Sequence, residues 1–266
     1  MGFNLASALT KLGNQVDFAS LIGEDDKGFL VRKALGVEGV GDGLVLEGVS
    51  ATAQSVILYD PGGRRQIHVD LKDFQNQGYP TEIAEKALRE CDLAVVCNIN
   101  FARPILKVAQ KAGTPIATDV HALADLDDDF NRDYMAAAKI LFLSDESLPD
   151  SPENFAQMLL DKYPCEILVI GLGANGALLA VRGDHFIGRF QAVTTRSVVN
   201  TIGAGDALFS AFLDGFLRSR NPYDALRRAM VFASYKIGEK GAAEGFLSGE
   251  ALDDWVKQVY RSHVQV

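Results

Sequence analysis

From residue 92 onward the chain alternates short apolar runs with helical segments, and that alternation leaves few folds open. "LAVVC" (93–97), "PIATDV", "KILFL" (139–143) and "EILVI" (166–170) read as buried strands. Between the first two, "RPILKVAQKAG" reads as a helix with Pro104 in its first turn and Gly113 as its stop. "SPENFAQMLLDKY" is a second helix, opened by Ser151 and Pro152. Apolar strands separated by helices predict a parallel sheet covered on both faces. The C-terminal third is mostly helical, with Asn221-Pro222 starting a helix that runs toward Gly238 and a last helix beginning near Gly249. Upstream, "ATAQSVILYDPGGRRQIHVD" carries two alternating runs around Asp60-Pro61-Gly62-Gly63. This is a β-hairpin signature over 51–70, expected to project from the body with one face open. The reading is one α/β domain over 1–266 with a small β appendage.

Composition narrows the function classes. The chain has 266 residues, 48% of them hydrophobic, enough for a sizeable core. Its 26 basic and 35 acidic residues give a net charge of −9, a surface that repels nucleic-acid phosphates. The basic pairs Arg64-Arg65 and Arg227-Arg228 read as solvated. Three cysteines, Cys91, Cys97 and Cys165, lack paired spacing and lie in or beside apolar runs, which favours buried thiols over a disulfide framework or a zinc site. No apolar run reaches membrane-spanning length and no basic-then-apolar leader pattern opens the chain, so the expected location is cytoplasmic.

One glycine motif is a decoy. Gly171-Leu172-Gly173-Ala174-Asn175-Gly176 formally matches the dinucleotide fingerprint, but that fingerprint needs a helix after the glycines. The following "ALLAVRGDHFIGRF" alternates and turns at Gly183-Asp184, as a hairpin does. The turn still follows a strand at its C-terminal end, where α/β sheets bind ligands. The P-loop, H-E-x-x-H and G-x-S-x-G patterns are absent. His68, His121, His185 and His263 are scattered, and the acidic run 125–129 lacks calcium-loop spacing.

The most informative stretch is "VVNTIGAGDALFSAFLDGF" (198–216). Leu208, Phe209, Phe212, Leu213 and Phe216 recur at helical spacing, so a buried helix starts near Gly205. Its first N–H groups lack intrahelical partners and carry the positive end of the dipole. Two readings fit. Gly203, Ala204 and Gly205 form an anion hole for a phosphoryl group in transfer, with Asp206 as base for the attacking hydroxyl. Alternatively, the glycines make a bend and Asp206 complements the dipole.

"NTIGAGDALFSAFLDGF" closely resembles the C-terminal signature of the ribokinase-like (PfkB) carbohydrate and nucleoside kinases, D-T-x-G-A-G-D before an apolar helix. "GFNLASALTKLGNQVDFASLIGEDDKG" is similar to their N-terminal signature, and "VIGLGANGALL" to their strand-turn segment beside the nucleotide. The resemblance runs from Met1 to about Phe246. It implies a Rossmann-like three-layer α/β/α core with a β-sheet lid, which the 51–70 hairpin partly supplies. It also implies ATP-dependent phosphorylation of a hydroxyl on a small sugar or nucleoside, with Mg2+. Asp206 then matches the catalytic base, Gly203, Ala204 and Gly205 the anion hole, and Asn4 a sugar-contacting asparagine. Gly171, Gly173 and Gly176 fall in the nucleotide-side turn. Several relatives pair through their lids, so a homodimer is expected.

The departures from the family pattern define further expectations. Asn200 replaces the signature's first acid, which leaves a monovalent-cation site in question. The family's magnesium-organising N-x-x-E aligns with Ser144-Asp145-Glu146-Ser147, where Asp145 or Glu146 substitutes or the segment is a solvated loop. The family's Gly-Gly pair, opening strand and a substrate-binding acid would precede Met1; without them the expectation is ATP binding with little turnover. Asn98 and Asn100 after "LAVVC", and Asp119 after "PIAT", sit at the strand ends where substrate binds. Arg64 and Arg65 suit either a phosphorylated sugar or solvent. The alternative function is a nucleotide- or sugar-binding protein of the same fold with weak catalysis.

Overall fold

The structure is a computed structural model and describes residues 1–59 and 65–261. The expected turn at Asp60-Pro61-Gly62-Gly63, the side chains of Arg64 and Arg65, and His263 lie outside the described residues. In chain order the elements are α1 (Gly2–Lys11), β1 (Asp17–Gly23), α2 (Asp26–Val37), β2 (Gly41–Val49), β3 (Gln54–Tyr59), β4 (Arg65–Asp70) and α3 (Thr81–Leu88). There follow β5 (Ala94–Val95), α4 (Arg103–Ala112), β6 (Ile116–Ala122), α5 (Arg132–Ala137), β7 (Ile140–Ser144), α6 (Pro152–Lys162) and β8 (Ile167–Gly171). Then come β9 (Ala177–Val181), β10 (Phe186–Phe190), α7 (Ala204–Ser219), α8 (Pro222–Lys236) and α9 (Gly249–Arg261).

The central sheet has the order β10-β9-β8-β7-β6-β5. Strands β5 to β8 are parallel, and β8, β9 and β10 are antiparallel. The sheet is therefore mixed rather than wholly parallel, because the glycine turn after β8 folds straight back as a hairpin instead of starting a helix. Alternation along the strands sorts the core onto two faces. Leu141, Leu143, Leu168, Ile170, Leu178 and Ala180 face α3 to α6. Their neighbours Ile140, Phe142, Ile167, Val169, Ala177 and Leu179 face α1, α7, α8 and α9. Three layers result, α/β/α.

Local chemistry sets the helix ends. Gly113 takes a left-handed φ of 73° and closes α4. The Ser151 side chain accepts from Asn154 N at the start of α6, and Asn221 caps α8 by accepting from Tyr223 N and Asp224 N. The strand expected over 93–97 is shorter, because beyond Val96 the chain turns, with Ile99 N donating to the Cys97 carbonyl at 2.8 Å.

Two small sheets stand apart from the central one: β1 with β2, parallel, and β3 with β4, antiparallel. The hairpin differs from the sequence expectation. Val56 and Leu58 lie on one face and Ile67 and Val69 on the other, all more than half exposed, so both faces are open.

Arg228 also departs from expectation. It reads as solvated in sequence, yet its side chain is only 12% exposed and pairs with Asp253 and with Asp214, which is fully buried. Asp214, in the middle of α7, also accepts from Arg218 Nε at 2.9 Å and from Asn14 Nδ2 at 3.0 Å. Arg218 in turn donates to the Leu12 carbonyl. One buried carboxylate thus ties α7 to α8 and to the end of α1. Replacing Asp214 by Ala leaves Arg228 without its buried counter-charge. We expect a loss of about 3 kcal/mol in urea-unfolding free energy, the usual scale for breaking a buried pair from one side; a loss within error would show that the clamp does not hold the helices.

Candidate active site

The start of α7 is built from the residues expected there. Gly203 precedes the helix at φ 77°, and a Cβ on it would lie 2.4 Å from the Ala242 carbonyl oxygen. Only glycine allows that close approach. Ala204 N turns back to the Thr201 carbonyl at 3.1 Å, and Ala207 N reaches the Gly203 carbonyl at 2.9 Å. Helix geometry leaves the N–H groups of Gly205 and Asp206 without a carbonyl behind them. A Cβ on Gly205 would meet open space, so that position gives a ligand room to approach.

Asp206 sits in the first turn of α7 with its side chain 12% exposed. It accepts from Asn4 Nδ2 at 2.6 Å, and the Met1 amine lies 3.9 Å away. The two signatures, 202 residues apart in sequence, therefore meet at a single hydrogen bond. A carboxylate held through one oxygen by an amide donor keeps its other oxygen available to a further hydrogen-bond donor.

Asp119 is buried near the C-terminal end of β6. The register between β6 and β7 shifts just beyond it, and His121 adopts φ 61° with its N–H donating to Asp119 Oδ1 at 2.8 Å. Burial pushes the Asp119 carboxyl up from its usual range and the negative charge of Asp206 adds to the rise, while His121 opposes it. Asp119 and Asp206 are thus electrostatic neighbours. Cys97, which sequence reasoning took only as a buried thiol, belongs to the same environment. Burial first, then the charges of Asp206 and Asp119, push its thiol up to about 12, so it stays protonated and unreactive at neutral pH.

The remaining residues divide. Asn98 donates to Asn131 Oδ1 at 3.0 Å. Asn100 is engaged differently: its Nδ2 donates to the Gln75 carbonyl and its Oδ1 accepts from Arg103, in a groove lined by α3 and α4 residues. Gly171 ends β8, and the one-turn segment Gly173–Asn175 leads into β9. Gly173 has φ 56° and open space at its Cβ position. Gly176 has φ 96°, and a Cβ there would lie 2.0 Å from the Phe190 carbonyl oxygen. No helix follows, which removes the dinucleotide reading. Asp145 and Glu146 occupy a one-turn segment after β7, with Ser144 Oγ accepting from Glu146 N. Among the described residues no group of three or more His, Cys, Asp or Glu converges on a metal. Also among them, no helix is long and apolar enough to cross a membrane.

Sequence reasoning missed Lys236. It lies fully buried at the end of α8, and its Nζ donates to the Ile202 carbonyl, immediately before Gly203. A signal was present: 225, 229, 232 and 236 fall on one helical stripe, and Ala225, Ala229 and Phe232 are all buried.

A buried helix whose N-terminus offers open backbone donors beside a held carboxylate, at one end of the central sheet, suits the transfer of a phosphoryl group. Residues 1–248 match the family model described as pfkB family carbohydrate kinase, and the chain belongs to that family of sugar kinases. It is 26% identical over 253 residues to acarbose 7(IV)-phosphotransferase of Actinoplanes sp., covering 94% of this chain and 84% of that protein. To the ATP-dependent ribose-1-phosphate kinase of Halopiger xanaduensis it is 28% identical over 247 residues, covering 90% and 80%. The fold is ribokinase-like: the structure of Arabidopsis thaliana ribokinase complexed with ribose and ATP superposes with a TM-score of 0.82 at 20% identity, covering 96% of this chain and 86% of that one.

The geometry separates two glycines of the turn. Gly203→Ala forces a left-handed alanine against the Ala242 carbonyl and displaces the turn. We expect turnover to fall by about a hundredfold or more, the scale of an ångström-level misplacement. Gly205→Ala meets no protein atom and should instead raise the KM for ATP by crowding the ligand. Steady-state kinetics of the two variants check this, and equal, small effects on both would contradict the assignment of the turn.

Proposed function

We propose that the chain transfers the terminal phosphoryl group of ATP to a hydroxyl of a small sugar, or of the ribose of a nucleoside, with Asp206 as the catalytic base. The observation that carries this reading is the Asn4–Asp206 hydrogen bond at the open N-terminus of α7. The N–H groups of Gly205 and Asp206, with the helix dipole behind them, would hold the negative charge that spreads over the transferring group. Asp206, oriented by Asn4, would align the acceptor hydroxyl and take its proton as the new P–O bond forms and the bond to the ADP oxygen breaks. Asn4, Asn98 and Asp119 supply amide and carboxyl groups suited to sugar hydroxyls. The acarbose and ribose-1-phosphate relatives support a carbohydrate acceptor.

On the nucleotide side, Gly171 and Gly173 place an open turn at the end of β8. Magnesium held with ATP relies mainly on phosphates and waters and needs only one or two carboxylates from protein. Asp145 and Glu146, at the end of the adjacent β7, fit that donor set and would hold it. When bound, the ion neutralises phosphate charge.

The reading is tested with Asp206→Asn in a coupled ADP-release assay over a panel of sugars and nucleosides. Turnover should fall by about a hundredfold to ten-thousandfold while ATP affinity stays nearly unchanged. Near-native turnover in the variant would remove Asp206 from the role of base.

We further propose that the chain works as one kinase domain whose β3–β4 hairpin is a lid covered by a second copy. A two-stranded sheet with apolar residues open on both faces is marginal alone, and its edges offer unpaired backbone groups. Light scattering should give about twice the 28.7 kDa chain mass, and Leu58→Asp should shift it toward one chain. A wild-type mass of one chain would contradict the pairing.

A further inference from the structure

The buried ammonium of Lys236 has no part in the phosphoryl-transfer steps above, yet it lies directly behind the phosphate-binding turn. Its Nζ donates to the Ile202 carbonyl, one residue before the left-handed Gly203. The same turn is strapped to the end of α8 by Val199 N and Asn200 N, which both donate to the Ile237 carbonyl at 2.8 and 3.0 Å. Asn200 completes the strap, its Oδ1 accepting from Ile202 N and its Nδ2 donating to the Lys240 carbonyl. Any change in how Lys236 is charged or seated therefore acts on the residues that aim the N–H groups of Gly205 and Asp206.

This arrangement does not fit a bound monovalent cation, the feature that Asn200 left in question. Such an ion is held by oxygen atoms. Here the Ile202 carbonyl is taken by the lysine ammonium, the Lys240 carbonyl is taken by an amide N–H, and residue 200 is neutral. The ammonium itself is costly to bury. Burial pulls its pKa below the usual lysine range and Arg196 pulls the same way, while Asp206, Glu244 and Glu239 support the charged form. A methionine would fill similar volume on the apolar stripe without that cost.

We propose that Lys236 is a positioning residue whose buried ammonium provides, from within the chain, the positive charge behind the phosphate-binding turn, so that MgATP binding needs no monovalent cation. This rests on the assignment of the turn to the terminal phosphate. The charge acts through the turn and does not touch the reacting atoms.

The test is calorimetric titration of MgATP into the whole chain with tetramethylammonium as the sole monovalent cation, then with potassium or ammonium at the same ionic strength. For the wild type the affinity should change by less than about twofold. Lys236→Met should weaken binding by about tenfold or more in tetramethylammonium, and Lys236→Ala, which leaves space for a small cation, should do the same and recover in ammonium, a rescue that lost packing alone would not give. Wild-type affinity should also decline on the alkaline side at a pH below the ordinary lysine range, as the ammonium loses its proton. That decline should be missing in Lys236→Met. A wild-type affinity tightened about tenfold by potassium, or a methionine variant that binds like wild type, overturns the proposal. The wild-type exchange decides the matter even where the variant fails to fold. No MgATP binding by the wild type under any condition would instead overturn the nucleotide reading beneath it, a result distinct from both.

Discussion

Everything at the candidate site depends on where the N-terminus of α7 is held. The helix is buried from Ala207 to Gly215. Phe142 of the central sheet packs on Phe209 and Phe212 at ring-centroid distances of 4.6 and 5.2 Å. On its other side Gly215 lets α8 approach so closely that a Cβ would lie 3.1 Å from Ala225 Cα. The Asp214 clamp fixes rotation about the helix axis and holds the end of α1, while Asn4 holds the start of α1 against Asp206. A helix seated this firmly keeps its terminal donors aimed before any ligand arrives, which is the condition under which electrostatic stabilisation of a transition state is effective.

The charges around that terminus are of two kinds. Asp206 and Asp119 are the acids, and burial together with the charge of Asp206 pushes the Asp119 carboxyl up, while Lys236 and the helix dipole lie behind the turn. Under the proposed function, a phosphoryl group at this place would meet backbone donors and positive potential on one side and the Asp206 carboxylate on the other. The division follows from topology: the acids end β6 and begin α7, whereas the ammonium comes from the far end of α8. Cys97, its thiol kept protonated, adds polarisable volume without a competing nucleophile.

The parts of this arrangement legible in sequence are those where one local force dominates. Strands β6, β7 and β8 announce themselves because both faces are buried, and α4, α6 and α8 because Gly113, Ser151 and Asn221 act within one turn. Strands β1 and β2 do not, since their burial is partial and irregular and β2 opens Gly-Asp-Gly. Helix α3 lacks a side-chain cap and follows Pro80. Gly203 to Asp206 and Asn4 were readable as types, but their meeting is a long-range fact that only the packing of α1 on α7 creates. Arg228 and Lys236 were harder to read for a related reason. A charge on an apolar stripe reads as an exception until its buried partner, Asp214 or the Ile202 carbonyl, is in place. Asn100 sits at a strand end where substrate contacts are expected, but its amide is bound by Gln75 and Arg103.

The role of the α7 N-terminus is decided by the destination of the terminal phosphate. A crystal structure of the chain with magnesium and a non-hydrolysable ATP analogue measures it directly. The prediction is a terminal phosphate within hydrogen-bonding distance of the Gly205 and Asp206 N–H groups, the base lying along the turn from Gly171 and Gly173, and the Asp206 carboxylate still open to the acceptor side. A nucleotide whose phosphates point away from the start of α7, or that binds in the groove beside α3 and α4, would contradict it.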